Sequence, residues 1–243
     1  MEGKSEIQLL REKLVHLSEE LEAVKERIDH DKVLDKITHI KNEIANAITH
    51  GLGALFFLIA VPILLAYSVK SAMPLTFVVS AGIFSFGLIL VYFSSTLYHS
   101  VQHTGVKRVL RIVDHISIFV FIAASYTPIV LHYLPRETAV ILLISLWSFV
   151  LLGSIYKLYF TGKYRLFSTF IYLIMGFLVL FVIKPLSLAM PPLSFTLLWV
   201  GGLSYVLGVI FFLWRSLNYS HAIWHVFVLV GSVSHYFMIL NAV

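Results

Sequence analysis

The stretch YSHAIWHVFVLVGSVSHYF, residues 219–237, is almost wholly apolar, yet it sets His221 and His225 four residues apart at its front edge. On a helix, residues i and i+4 share one face about 6 Å apart. Two imidazoles so placed can grip one zinc ion at about 2 Å each. A third nitrogen is available from His99 in FSSTLYHS, with Ser95 one turn earlier on the same face. Three protein nitrogens leave a fourth position open for water, the arrangement of a catalytic zinc site. Zinc brings the pKa of bound water towards neutrality. Asp114 in RIVDHIS is the carboxylate candidate to orient that water or take its proton. The Ser95 hydroxyl would serve the water, the carboxylate or a substrate oxyanion. For Asp114 there is a plainer reading, in which it caps its helix and pairs with Arg111, one turn earlier.

These residues must be positioned by membrane-spanning helices. The chain of 243 residues is 59% hydrophobic and 13% charged, against roughly half and a quarter in soluble domains. Of 13 acidic residues, 11 lie at or before Glu43, leaving only Asp114 and Glu137 beyond it. A soluble domain of that size needs more acids on its surface. The spacing predicts seven spans, at residues 46–69, 74–98, 113–133, 139–157, 166–186, 192–214 and 220–242. Their boundaries are set by charge, proline, glycine and polar residues. Lys32, Lys36 and Lys41 flank the first span. Lys107, Arg108 and Arg111 lie in the second loop, and Lys157, Lys163 and Arg165 in the fourth. The intervening loops carry one cation each. This bias predicts a cytoplasmic N-terminus and an outside C-terminus, and it reads as a topology signal rather than a nucleic-acid footprint. With that topology, His99, Asp114, His221 and His225 fall at one depth, near the cytoplasmic end.

The expected architecture is all-α: an integral membrane seven-helix bundle over residues 44–243, preceded by a cytoplasmic helical extension over 1–43. In the extension, Ile7, Leu14, Leu21 and Ile28 recur at sevens, with Leu10, Leu17, Val24 and Asp31 at the offset of three. Residues 5–31 thus form either a coiled coil that makes a homo-oligomer or an amphipathic helix lying on the bilayer. DHDK, residues 29–32, is expected to loosen the join to a second short helix over about 33–45. The absence of cysteine removes disulfides, thiolate ligands and cysteine nucleophiles. No cleavable apolar leader opens the sequence.

SSTLYH on the second span, a single Asp opening the third and HAIWH on the last resemble the pattern of hemolysin III proteins. These are the bacterial branch of the progestin and adipoQ receptor superfamily, which includes the adiponectin receptors. NEIANAITHGLGA, residues 42–54, is similar to that family's first-helix signature, and the likeness covers approximately residues 42–243. The resemblance implies a seven-helix, N-inside fold in the bacterial plasma membrane, with zinc held by His99, His221 and His225. It also implies Asp114 and Ser95 around the water, and hydrolysis of a lipid amide by analogy with the adiponectin receptors. The extension departs from the family pattern.

Glu43, Asn46 and His50 share the leading face of the first span. They are read foremost as a hydrogen-bonded anchor to neighbouring helices, and otherwise as a second shell or the mouth of a substrate path. His115 is turned about 100° from Asp114 and is not expected to ligate. His103 reads as a solvated loop residue, and His132 with Tyr133 as interface residues. His235, about 20 Å along the helix from His221, is too far to share that metal; with Ser125 and Ser232 it would line a polar interior. Three functions follow as expectations: a zinc-dependent intramembrane hydrolase of a lipid amide or ester, a pore-forming cytolytic protein with a structural zinc, or a lipid sensor signalling through the N-terminal helix. Membrane lipids are the expected partners.

Overall fold

The computed structural model describes residues 6–243; residues 1–5, and the side chain of Ile7 at the head of the heptad seam, lie outside the described residues. The chain divides into two compact units, residues 1–42 and 43–243. Among the described residues, seven helices are long and apolar enough to cross a membrane. The described residues include no strand. This is the all-α, seven-span architecture expected from composition.

The first helix, α1, covers Glu6–Lys70 without interruption. The break expected at residues 29–32 is absent. That stretch holds no glycine or proline, and its Asp and His weaken a helix only slightly. Lys32 also pairs with Asp29 across three residues at 3.4 Å, a spacing that supports the helix. Along the first unit Leu10, Leu14, Leu17, Leu21, Val24 and Ile28 are all exposed.

The remaining elements are α2 (Leu75–Ser100), α3 (Thr104–Tyr133), α4 (Arg136–Phe160), α5 (Arg165–Phe177), α6 (Ile183–Ala189), α7 (Pro192–Leu213) and α8 (Ser220–Leu240). Helix α3 starts nine residues before the expected 113. Exposed His103, expected to be a solvated loop residue, is its N-cap, accepting from the Val106 N–H at 3.4 Å. Asp114 is therefore the eleventh residue of α3, about 15 Å from its start. It does not cap the helix, so that half of the plainer reading falls, while Arg111 stays its cationic neighbour. Helix α4 also overruns its expected end, which takes Lys157 out of the loop and buries it, 2% exposed, with its ammonium donating to Ser168 Oγ at 2.7 Å.

The fifth span is broken. Helix α5 gives way to a 3-10 turn over Leu178–Val182 before α6 resumes. Pro185 explains the break: it has no N–H, and its ring would clash with the carbonyl four residues back in a continuous α-helix. A broken helix in lipid needs other partners for its freed backbone groups. Tyr126 of α3 provides them. Its hydroxyl accepts from the Val179 N–H at 2.9 Å and lies 2.6 Å from the Gly176 carbonyl and 2.9 Å from that of Met175. Tyr126→Phe is expected to destabilise the bundle by about 1–3 kcal/mol, because it leaves buried backbone groups unpaired. Thermal unfolding in detergent checks this; an unchanged midpoint would mean the break is satisfied elsewhere.

Candidate metal centre

Two helices, α2 and α8, bring three imidazoles together at one end of the bundle. His99 lies in the last turn of α2, and His221 and His225 in the first two turns of α8. Tyr219, in the left-handed region at φ 61°, turns the chain directly into α8. One ligating nitrogen from each histidine lies within 4.8 Å of the others, and among the described residues this is the one group of three or more potential ligands so placed. The rings stand 4.5 Å apart for His221 and His225, 5.2 Å for His99 and His221, and 5.4 Å for His99 and His225.

The other face of two of these rings is already engaged. His99 Nδ1 donates to Glu43 Oε1 at 3.1 Å, with the Asn46 amide 3.5 Å away. Glu43 is itself paired with Lys107. His225 Nδ1 donates to the Asn46 backbone carbonyl at 3.2 Å and has Thr49 Oγ1 at 3.1 Å. With Nδ1 occupied on both rings, each presents Nε2 to the cluster. Both Nε2 atoms are buried and have no hydrogen-bond partner. Leaving two such groups unsatisfied costs about 1–3 kcal/mol each. A metal ion takes up both lone pairs, and a carboxylate or backbone carbonyl on the opposite nitrogen is what orients a ligating histidine. The donor set therefore fits a metal ion.

Glu43, Asn46 and His50 act as more than an anchor: the first two orient the cluster, and the His50 ring stacks on His225 at 3.5 Å. Thr49 was not singled out by sequence, although its spacing from Asn46 puts it on the same face. Asp114 is buried, with His99 and Ser95 beside it and Arg111 and Lys157 as its cationic neighbours. The lysine could not be found by sequence, because it stands among loop cations. His115 turns its Nδ1 to the Arg111 carbonyl at 2.7 Å and stays out of the cluster, as its position around the helix requires. His235 is likewise outside it.

Asp114 and His50 also line a cavity of about 210 Å³ whose other walls are mostly aliphatic and aromatic side chains of α3, α5, α7 and α8. A seven-span helical bundle with a histidine cluster beside an apolar cavity is thus the class of protein that fold and site define. The model of the family described as haemolysin-III related matches residues 38–236, so the chain belongs to the haemolysin III family. It is similar to the hemolysin-3 homolog of Bacillus subtilis (strain 168), 42% identical over 83% of this chain and 94% of that one. It is also similar to hemolysin-3 of Bacillus cereus, 39% identical over 86% of this chain and 95% of that one. The human monocyte to macrophage differentiation factor is a more distant relative, 32% identical over 66% of this chain and 69% of its own.

Replacing the residue that orients His99 should loosen the metal without dismantling the bundle. Glu43→Gln is expected to weaken metal affinity about 10- to 100-fold, read by chelator competition on the purified protein. Unchanged affinity would mean that Glu43 only pairs with Lys107.

Proposed function

We propose that this protein is a zinc-dependent intramembrane hydrolase that cleaves an acyl amide or ester of a membrane lipid. The observation that carries the reading is the pair of buried, partnerless Nε2 atoms of His99 and His225 facing His221, next to a buried carboxylate at the end of an apolar cavity. An all-nitrogen set from neutral imidazoles suits zinc, with Zn–N distances of about 2.0–2.1 Å, and nitrogens within 4.8 Å of one another reach a common ion by small side-chain rotations. Zinc there would polarise the scissile carbonyl and make water a competent nucleophile at neutral pH.

The chain's own residues do the rest. Water adds to the acyl carbon, the carbon–nitrogen or carbon–oxygen bond to the leaving group breaks, and the proton lost by water ends on the departing amine or alkoxide. Asp114 would carry that proton on a carboxylate oxygen. The neighbouring Ser95 hydroxyl is available to orient the carboxylate, and Arg111 and Lys157 offset the cost of holding it ionised in the bundle. The cavity takes the acyl chain. Phe177, Leu180, Trp199 and Leu203 line it and are themselves exposed, so a chain can enter from the bilayer between the fifth span and α7. The Lys and Arg bias supports a histidine cluster on the cytoplasmic side.

Wild-type protein in nanodiscs is expected to release fatty acid from an N-acyl sphingoid amide or from a diacyl glycerophospholipid. Asp114→Asn should lower turnover at least about 100-fold while retaining the metal. Turnover undiminished in that variant, or no release from either class by the wild type, would count against the mechanism.

The extension supports a second, separate reading, namely association with a second copy through residues 5–31. Its exposed Leu and Val seam lacks a cover within its own unit, and two chains inserted in the same membrane present it in parallel. In that arrangement Glu6 faces Arg11 and Glu20 faces Lys25 of the other helix, pairings that favour the parallel orientation. Crosslinking in membranes should give a dimer that is lost on deleting residues 1–40; a dimer that persists would place the contact elsewhere.

A further inference from the structure

Outside the histidine cluster, the buried polar groups of the bundle are not scattered. His50, 1% exposed, has no partner on either ring nitrogen, although its ring lies 4.9 Å from that of Tyr92. The Tyr92 hydroxyl, also buried, approaches Ser232 without completing a hydrogen bond. Ser232 Oγ donates to the Val228 carbonyl at 2.9 Å and accepts a long bond, 3.3 Å, from the Tyr205 hydroxyl. The Tyr205 ring meets His235 edge-on at 5.3 Å. His235 is 7% exposed, completes a hydrogen bond with neither nitrogen, and has the Leu198 carbonyl as a neighbouring polar group. The groups form a file from His225 to His235, ten residues or about 15 Å along α8. His50, Tyr205 and His235 all line the apolar cavity, so the file is one wall of it.

The room for this wall is written into the sequence. A methyl group on Gly53 would fall 2.3 Å from the Tyr92 ring, one on Gly231 2.4 Å from the Tyr205 ring, and one on Gly201 2.4 Å from the His235 ring. Each of these polar rings thus occupies a place that a facing glycine leaves free. Imidazoles and phenols buried at such positions without partners are costly. Roomy sites with several polar neighbours hold ordered water, while wholly apolar cavities stay dry.

We propose that Tyr205, Ser232 and His235 form a built water site in the half of the bundle remote from the histidine cluster, continued by Tyr92 and His50 towards His225. The ligand is water. Its residues donate and accept in alternation: the phenol and serine hydroxyls do both, and a neutral imidazole donates from one nitrogen and accepts at the other. At the cluster's own end, Glu43 is taken up by Lys107 and His99. The file therefore offers a store of water inside the bundle, reaching the cluster from the opposite side. Its use in supplying a hydrolytic reaction rests on the function proposed above; its hydration does not.

Radiolytic hydroxyl-radical footprinting of the metal-loaded full chain in nanodiscs tests this, because radicals made from bound water mark the side chains beside it. Tyr205 and His235 are expected to be oxidised at least tenfold faster than the apolar Phe57 and Phe84, which are wholly buried, and than the apolar Phe195, which is partly buried like Tyr205. The double variant Tyr205→Phe/Ser232→Ala, which removes two hydroxyls and little volume, should cut His235 oxidation several-fold. Its metal content and unfolding midpoint report whether the fold is kept, and Ser232→Ala alone serves if the double variant does not fold. Oxidation of His235 no faster than that of Phe57, or oxidation that the loss of these hydroxyls leaves unchanged, overturns the proposal. A protein that hydrolyses no lipid but shows the footprint removes the function and keeps the water site.

Discussion

The hydrogen bond from His99 Nδ1 to Glu43 is the interaction on which the rest of the site depends. It joins α1 to α2, occupies one nitrogen and so turns the other towards α8. The bond from His225 Nδ1 to the Asn46 carbonyl does the same from the opposite side. Three helices are thereby held in one geometry by residues whose free nitrogens have nothing else to bind. In water such an arrangement would relax by hydration. Inside a bundle the unmet lone pairs stay costly, and a metal ion at the centre is what would take them up.

The same constraint accounts for features elsewhere. Lipid does not satisfy backbone polar groups, so the break in the fifth span is stitched by the Tyr126 hydroxyl. Lys157 could remain buried only because Ser168 and the field of Asp114 receive it. Buried charge and broken helix both lie on walls of, or beside, the cavity. The polar cost is concentrated where chemistry would be done, while the outer faces carry leucine, phenylalanine and valine.

Much of this was legible in the sequence, and for physical reasons. Segregated charge and long apolar runs determine a seven-span bundle almost without regard to detail. The i, i+4 spacing of His221 and His225 guarantees a shared face, and His99 falls at the same depth once the spans are counted. What could not be read was direction and reach. Helix α3 begins at Thr104 because His103 caps it, and nothing in an amphipathic VKRVLRIV announces whether it continues the loop or the helix. That difference carried Asp114 from a capping position to the interior. Glu43, Asn46 and Thr49 gained their meaning only from the neighbouring helix, since spacing shows that residues share a face but not what the face meets. Lys157 was masked by its company, and the uninterrupted α1 shows that two aspartates and a histidine do not break a helix by themselves.

X-ray absorption at the zinc edge, with elemental analysis of the same purified wild-type sample, tests the central claim most directly. One zinc per chain is expected, with a shell of three imidazole nitrogens at about 2.0–2.1 Å that is lost in His221→Ala. Protein that is folded yet holds no metal, or holds it with a shell that His221→Ala leaves intact, would contradict it.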